Sequence, residues 1–134
     1  MQTFLPYADF AASAKALDYR RLGKQRVEAR QISNTLLHGG AWSKHPAVEM
    51  WRGYEALLLI YGNEMILEWI ARGYVNNMPL VDVDPRSLRR PSWYGDDRLH
   101  SSHRANLLRK NPAFYSRYGW TEDPTTPYWW PILR

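Results

Sequence analysis

Residues 18–28 hold the densest group of side chains that could do chemistry. They read DYRRLGKQRVE, in which Arg20, Arg21, Lys24 and Arg26 lie within seven positions. On a helix these cations would form a positive face, and the planar guanidinium group matches the geometry of a phosphate. The pattern therefore favours contact with a phosphate backbone. The alternative is the solvated face of an amphipathic helix, since charged faces are common on helices.

Glu28 is the carboxylate that follows these cations. A carboxylate near Arg21, Lys24 and Gln25 suits the stabilisation of a positively charged, sugar-like transition state better than it suits general-acid work. The alternative is an ordinary ion pair with Lys24, four positions earlier, which would stabilise a helix by about 0.2–0.5 kcal/mol. The sequence leaves both interpretations open.

Gly23 and Gln25 do not fit an ordinary surface helix. A glycine inside a helix costs about 1 kcal/mol relative to alanine and is usually kept where another group comes close. Gln25 falls within the apolar stripe formed by Leu22, Ala29 and Ile32, and a buried amide needs hydrogen-bond partners. We therefore expect a group to pack closely at Gly23 and another to hydrogen-bond to Gln25.

Two histidines, His100 and His103, lie three positions apart in a polar segment. That spacing could place both rings on one metal ion. No His-Glu-x-x-His motif accompanies them, however, and we expect no metal site. The neighbouring Ser101, Ser102 and Arg104 favour phosphate contact or helix capping instead.

Four helical segments position these groups, and no segment has the period-two alternation of a half-buried strand. Apolar periodicity, caps and prolines predict helices over about 7–17, 20–37, 46–72 and 97–110. Asp18 is the expected N-cap of the second helix and Gly39 follows its end, while Gly62 is expected to bend or divide the third. A long loop over 76–95 and an aromatic, proline-rich tail from residue 121 complete a small all-α bundle.

The composition fits one domain over residues 1–134. Eighteen Lys and Arg against thirteen Asp and Glu give a formal charge of +5, which suits an acidic partner such as nucleic acid. The lack of cysteine excludes disulfides and cysteine-based zinc sites. The first residues lack the pattern of a secretory signal, and no apolar run approaches the roughly 20 residues that span a bilayer, so we expect a cytoplasmic protein without membrane contact.

Aromatic side chains are abundant, at 14% of residues. Those at helical spacing are expected in the core: Trp51, Tyr54, Trp69, Phe114 and Tyr115. Trp93, Tyr94, Tyr118 and the aromatic run 128–130 lie outside regular helix and near arginines. They could stack on bases, or they could close over the bundle.

Three segments together resemble the pyrimidine-dimer DNA glycosylase family of small all-α DNA repair enzymes. The first is YRRL at 19–22, followed by Arg26 and Val27. The second runs from residue 45 to ARGY at 71–74, and the third is NPAFYSRYG at 111–119. The last of these, an aromatic and basic motif after a proline, is the most specific.

The resemblance implies amine chemistry. In the family the N-terminal α-amine attacks the sugar C1′ as the base leaves and forms an imine, assisted by a helix glutamate. The pKa of an α-amine is about 7.7–8.0, against about 10.4 for lysine, so a larger fraction of an α-amine is neutral at pH 7. The family removes its initiator methionine before a small residue and has a glutamate after Tyr-Arg, whereas this chain has Gln2 and Arg21. The resemblance then makes Met1 the nucleophile and Glu28 the carboxylate.

The expected partner is double-stranded DNA with a damaged or modified base, bound by a monomer without a cofactor. The residues expected to contact DNA are Arg20, Arg21, Lys24, Gln25, Arg26, His45, His100, His103, Arg104, Arg117 and Tyr118. One alternative is a DNA-binding protein without activity on the same scaffold. Another is that the aromatic tail binds a protein.

Overall fold

The computed structural model describes residues 1–131 and contains six α-helices and no strand in that range. The helices are α1 (Phe10–Ala16), α2 (Tyr19–His38), α3 (Pro46–Glu49), α4 (Glu55–Ala71), α5 (Asp97–Lys110) and α6 (Pro112–Tyr115). Two 3₁₀ turns, Pro85–Ser87 and Ser116–Tyr118, lie between and after them. The prediction of an all-α fold is confirmed.

The central pair of the bundle is α2 packed against α4. As predicted, α2 begins after Asp18 and ends before Gly39, whose φ of 77° continues the chain in a conformation that favours glycine. The predicted stripe is also confirmed, because Leu22, Ala29 and Ile32 are buried. Because this side of α2 packs into the bundle, the opposite side of the helix faces solvent.

The predicted helix over 46–72 is two helices, α3 and α4. The break comes at Gly53, which has a φ of 88°, a value that a helix cannot accommodate. The predicted division at Gly62 is wrong, because α4 is continuous from Glu55 to Ala71. Gly62 lies inside α4, where a Cβ would meet the Cβ of Ala29 at 3.5 Å, so this glycine lets α2 and α4 approach closely.

The remaining elements follow the sequence pattern with shifted ends. The first helix is shorter than predicted and begins at Phe10, after the side chain of Asp9 accepts from the Ala12 N–H. Asp96 caps α5 in the same way, and Asn111 ends it as expected before Pro112. Within residues 1–131, no helix combines the length and apolar character that crossing a bilayer requires.

The N-terminal residues thread through the bundle without regular secondary structure. Thr3, Phe4 and Leu5 are buried. A buried extended segment has backbone N–H and C=O groups that need partners, and here side chains of the bundle supply them. One example is the Tyr61 hydroxyl, 2.8 Å from the Phe4 carbonyl. The start of the chain is thereby held in a fixed place beside α2.

The aromatic tail packs onto the bundle. Its side chains Tyr128, Trp129 and Trp130 are partly buried against the core, and Tyr128 packs edge-on against the ring of His103 at 5.5 Å between centroids. Of the two interpretations of this run, closure over the bundle agrees with its placement.

Candidate functional site

Two adjoining grooves run along the exposed side of α2 and meet at Met1. Their volumes are about 510 Å³ and 410 Å³, and both are lined by Met1, Arg20, Lys24 and Glu28. We call the two together the Met1 groove. Arg20, Lys24 and Glu28 recur at four-residue spacing, which places them on one side of the helix. The structure therefore brings the two predicted catalytic residues and two predicted cations together.

The most specific contact in the groove joins Glu28 to the start of the chain. The backbone N–H of Gln2 donates to Glu28 Oε2 at 2.8 Å. Within the described residues, Glu28 forms no ion pair with Lys24 or with the Met1 amine. The alternative of an ordinary ion pair along the helix is therefore wrong. The carboxylate faces the nitrogen of residue 2.

Gln25 holds this arrangement from inside the bundle. It is 1% exposed; its Nε2 donates to the Gln2 carbonyl at 2.8 Å, and its Oε1 accepts from the Phe4 N–H at 3.1 Å. The Tyr61 hydroxyl lies 2.6 Å from the same oxygen, and burial raises the pKa of that phenol well above its usual value. Gln25 thus has the partners that a buried amide needs. Its side chain positions residues 2 and 4 and also lines the groove, and a contact of Gln25 with DNA stays a prediction.

The two histidines of α5 are also buried, at 4% and 0% exposure for His100 and His103. His100 Nδ1 lies 2.7 Å from the Leu5 carbonyl while its Nε2 accepts from the Gly95 N–H, so the proton is on Nδ1. His103 Nδ1 accepts from the Leu5 N–H at 2.9 Å. Burial lowers the pKa of both rings, that of His103 to about 3. These neutral rings hold the backbone of Leu5, and a contact of either histidine with phosphate stays a prediction.

Arg104 also holds the N-terminal segment. We call His100, His103 and Arg104 together the clamp. It donates to the Pro6 carbonyl at 2.7 Å and pairs with Glu122 at 2.7 Å and with Asp97 at 3.3 Å. Its charge is therefore engaged within the fold. No group of three metal-ligating side chains occurs in the part of the chain that the structure describes.

Four other predicted contacts lie outside the Met1 groove. Arg26 donates to Asn76 and covers the Trp69 ring at 4.3 Å, while its burial lowers its pKa. His45 caps α3, with its Nδ1 accepting from the Ala47 N–H at 3.1 Å. The Tyr118 hydroxyl donates to the backbone of Ala16, and the exposed Arg117 lies over the Phe114 ring. A part in binding for these four residues stays a prediction.

The groove carries a strong positive charge. Arg20 and Lys24 are exposed and, among the described residues, pair with no carboxylate, whereas Arg21 pairs with Asp18 at 3.2 Å. Lys110 also lines the groove, and the pKa of its ammonium is lowered first by burial and then by the neighbouring cations. A cluster of cations in one groove is a site that attracts an anion. Lys110 could not be found from the sequence, because it comes from the far end of α5.

The other end of the groove has an aromatic side that the sequence did not reveal. Tyr19 and Trp69 line it, although Trp69 was expected in the core. Trp69 also explains Gly23, since a Cβ at that position would lie 3.0 Å from the indole ring. The predicted close approach at Gly23 is therefore confirmed.

Comparison with known proteins identifies a family. The family model described as pyrimidine dimer DNA glycosylase matches residues 1–82, more than half of the chain and all of α1 to α4. No curated protein and no solved structure matches the sequence. The matched region contains Met1, Arg20, Lys24 and Glu28. This chain belongs to the pyrimidine dimer DNA glycosylase family.

Proposed function

We propose that this single-domain chain is a DNA glycosylase acting on a damaged or modified base in double-stranded DNA, with abasic-site lyase activity through an imine on its N-terminal amine. One observation carries the proposal. In a groove rimmed by cations, the carboxylate of Glu28 accepts from the nitrogen of Gln2 at 2.8 Å, next to the start of the chain. A carboxylate at an amino end fits the amine chemistry of the family.

The proposed reaction needs only groups that line the groove. The α-amine nitrogen forms a bond to C1′ of the damaged nucleotide while the bond between C1′ and the base breaks, and the base leaves with that electron pair. The attacking nitrogen loses a proton and the departing base gains one. The C1′–O4′ bond of the sugar ring then breaks, O4′ takes up a proton, and a protonated imine forms between the nitrogen and C1′. Loss of a C2′ proton then expels the 3′ phosphate and cleaves the strand. Glu28 stabilises the positive charge that develops on the sugar.

The cations of the groove would hold the DNA backbone. Arg20 and Lys24 are free to bind phosphates on either side of the reacting sugar, and Arg21 and Lys110 add positive charge behind them. Contacts of this kind fix position without reading sequence. They also make affinity depend steeply on salt, because each neutralised phosphate releases counterions.

The position of the reacting amine separates two versions of this mechanism. With Met1 in place, the amine of Met1 is the nucleophile and the nitrogen of Gln2 is an unreactive amide. With Met1 removed, the nitrogen that lies 2.8 Å from Glu28 becomes the α-amine itself. Both versions use Glu28, so that residue is the better test of the chemistry.

The experiment measures the intact mass of the protein and then traps the imine. The protein is incubated with a duplex that contains an abasic site, borohydride is added, and the modified peptide is mapped. We expect a covalent adduct on residue 1, or on residue 2 where Met1 is absent. Gln2→Ala, which gives the small second residue typical of the family, is expected to move the adduct to residue 2. Strand cleavage at adjacent pyrimidines in an ultraviolet-irradiated duplex tests the dimer as the substrate.

The matched variants are Glu28→Gln in the groove and Glu49→Gln on α3, outside it. We expect Glu28→Gln to slow trapping by roughly 10²- to 10³-fold without weakening DNA binding, and Glu49→Gln to have no effect. An unaltered rate in Glu28→Gln would refute the role of that carboxylate. Salt-dependent binding without any adduct would favour the DNA-binding protein without activity, for which Arg21 at the position of the family's glutamate already argues.

A further inference from the structure

Three aromatic side chains form a cluster, of which Tyr19 and Trp69 line one end of the Met1 groove and Tyr74 packs against both. Tyr19 lies parallel to Trp69, with 6.4 Å between the ring centroids and 18° between the planes. Tyr74 lies 4.4 Å from Trp69 and 5.6 Å from Tyr19. We call these three residues the aromatic wall.

The aromatic wall is open to solvent although its members are large. Tyr19 is 51% exposed and Tyr74 is 39% exposed, whereas Trp51, Tyr61 and Tyr115 are fully buried. Exposed aromatic rings that touch one another form a surface available to a partner. Aromatic rings of this kind offer flat faces on which another flat ring can stack.

The aromatic wall is also fixed in place before any partner binds. Trp69 Nε1 donates to the Val75 carbonyl at 2.8 Å, and the indole ring lies against Gly23. Arg26 lies over the same indole at 4.3 Å. A rigid aromatic surface loses little conformational entropy on binding, so stacking on it costs little.

We propose that the aromatic wall binds an unpaired nucleobase of the DNA by stacking, while the cations of the Met1 groove hold the adjacent phosphates. The inference deepens the proposed function, because it assigns the place of a base next to the reacting sugar. The flat face of any base stacks on an aromatic ring, so the site accepts bases of different sequence.

Charge and spacing support a nucleotide as the occupant. Tyr19 and Trp69 share one groove with Arg20, Lys24 and Glu28, so an apolar wall, two free cations and the carboxylate line the same space of about 510 Å³. Gly23, against which Trp69 packs, precedes Glu28 by five residues, or about 7.5 Å along the helix axis. One nucleotide can bridge that span, with its base on the wall and its sugar near the carboxylate.

The test compares two duplexes that differ only by one unpaired nucleotide in a single-base bulge. Affinities are measured by fluorescence anisotropy for the whole protein and for Tyr19→Leu, Tyr74→Leu and Tyr19→Phe. A fourth variant, Trp42→Leu, removes an equally exposed aromatic side chain outside the groove. Circular dichroism checks that each variant is folded, which the exposure of Tyr19 favours.

We expect the protein to bind the bulged duplex roughly tenfold more tightly than the paired one. Tyr19→Leu and Tyr74→Leu should remove most of that preference, and Tyr19→Phe and Trp42→Leu should keep it. Equal affinity of the unaltered protein for both duplexes, or a preference that survives both leucine variants, would overturn the proposal.

The outcome is independent of the amine chemistry, because no covalent step enters the binding assay. The unaltered protein could trap no imine while its preference for the bulged duplex disappears in Tyr19→Leu. That result would support the stacking site and refute the lyase activity. Binding of neither duplex would refute the proposed function and the stacking site together. Equal binding of both would refute the stacking site alone.

Discussion

Two helices of this molecule, α2 and α5, are similarly polar in composition and place their polar side chains in opposite directions. Both combine arginine with hydrogen-bonding side chains, and both were expected to contact phosphate. In α2 the cations Arg20 and Lys24 face an open groove. In α5 the polar groups His100 and His103 face inward and hold the backbone of Leu5. Polarity alone did not decide which side chains meet solvent.

The difference comes from the route of the N-terminal segment. Residues 3–5 are buried without a helix or strand to satisfy their backbone, so nearby side chains must supply donors and acceptors. The histidines of α5 and Gln25 of α2 do this. These hydrogen bonds hold residues 1 and 2 in a fixed position beside Glu28. Four substitution experiments test whether α5 holds the N-terminal segment while α2 forms the groove.

The largest effect is expected at His103, at the centre of the clamp. His103→Ala removes the acceptor for the Leu5 N–H and leaves a cavity in a site that is 0% exposed. We expect the free energy of unfolding to fall by roughly 3 kcal/mol, measured by urea denaturation. The control is His38→Ala at the exposed end of α2, which should change it by less than about 0.5 kcal/mol. Similar small losses in both variants would refute the clamp.

The same histidine should make stability depend on pH. Its pKa is about 3 in the folded protein, below the usual value of 6.5, because the charged ring is excluded from the interior. As the pH falls, His103 is therefore protonated at a higher pH in the unfolded chain than in the folded chain. Stability is fully present above pH 6.5 and falls as the pH drops through that range toward 3.

Between pH 6 and 4 this residue should contribute a slope of about 1.4 kcal/mol per pH unit. His103→Gln keeps an oxygen acceptor for Leu5 and cannot titrate, so it should flatten the dependence by that amount. Urea denaturation at several pH values measures the slope. His100 remains in this variant, and its own lowered pKa leaves part of the dependence in place. An unchanged slope would show that His103 is accessible to protons in the folded state.

A smaller effect on binding separates the cations of the two helices. Replacing Arg20 and Lys24 together by alanine should lower the slope of log Kobs against log salt by up to about 2, with stability nearly unchanged. Arg104→Ala should instead reduce stability by about 1–2 kcal/mol and leave the salt slope as it was, because its charge is paired inside the fold. Equal salt slopes in the two variants would place DNA elsewhere than the Met1 groove.

Local signals in the sequence predicted most of the fold. Asp18 and Gly39 flank α2 as predicted, although the Asp18 side chain makes no capping hydrogen bond, and the 3.6-residue period identified the buried side of the helix. Local signals in the sequence also identified Gly23 and Gln25 as unusual positions. The partners of these residues could not be predicted, because Trp69 and Phe4 come from distant parts of the chain. The same limit applies to Lys110, which only the tertiary fold brings to the groove.

The break at Gly53 shows a second limit. Both Gly53 and Gly62 fall in a segment with continuous apolar spacing, and the pattern did not indicate which glycine ends a helix. The φ of 88° at Gly53 identifies the break, whereas Gly62 stays helical and packs on Ala29. A glycine that allows a turn and a glycine that allows close packing are alike in sequence, and only the neighbours distinguish them.

The smallest expected effect uses this distinction on two glycines inside helices. Alanine at either position should gain about 0.8–1 kcal/mol of helix propensity. At Gly62 the new Cβ would make an ordinary contact with Ala29 at 3.5 Å, so Gly62→Ala should realise most of that gain. At Gly23 it would meet the ring of Trp69 at 3.0 Å, and the hydrogen bond from Trp69 to Val75 resists displacement of the ring. We therefore expect Gly23→Ala to be about 1 kcal/mol less stable than Gly62→Ala in thermal unfolding, with a changed near-ultraviolet circular dichroism signal. If both variants gain equally, the aromatic side of the groove yields easily, and the contact at Gly23 does not hold Trp69 in place.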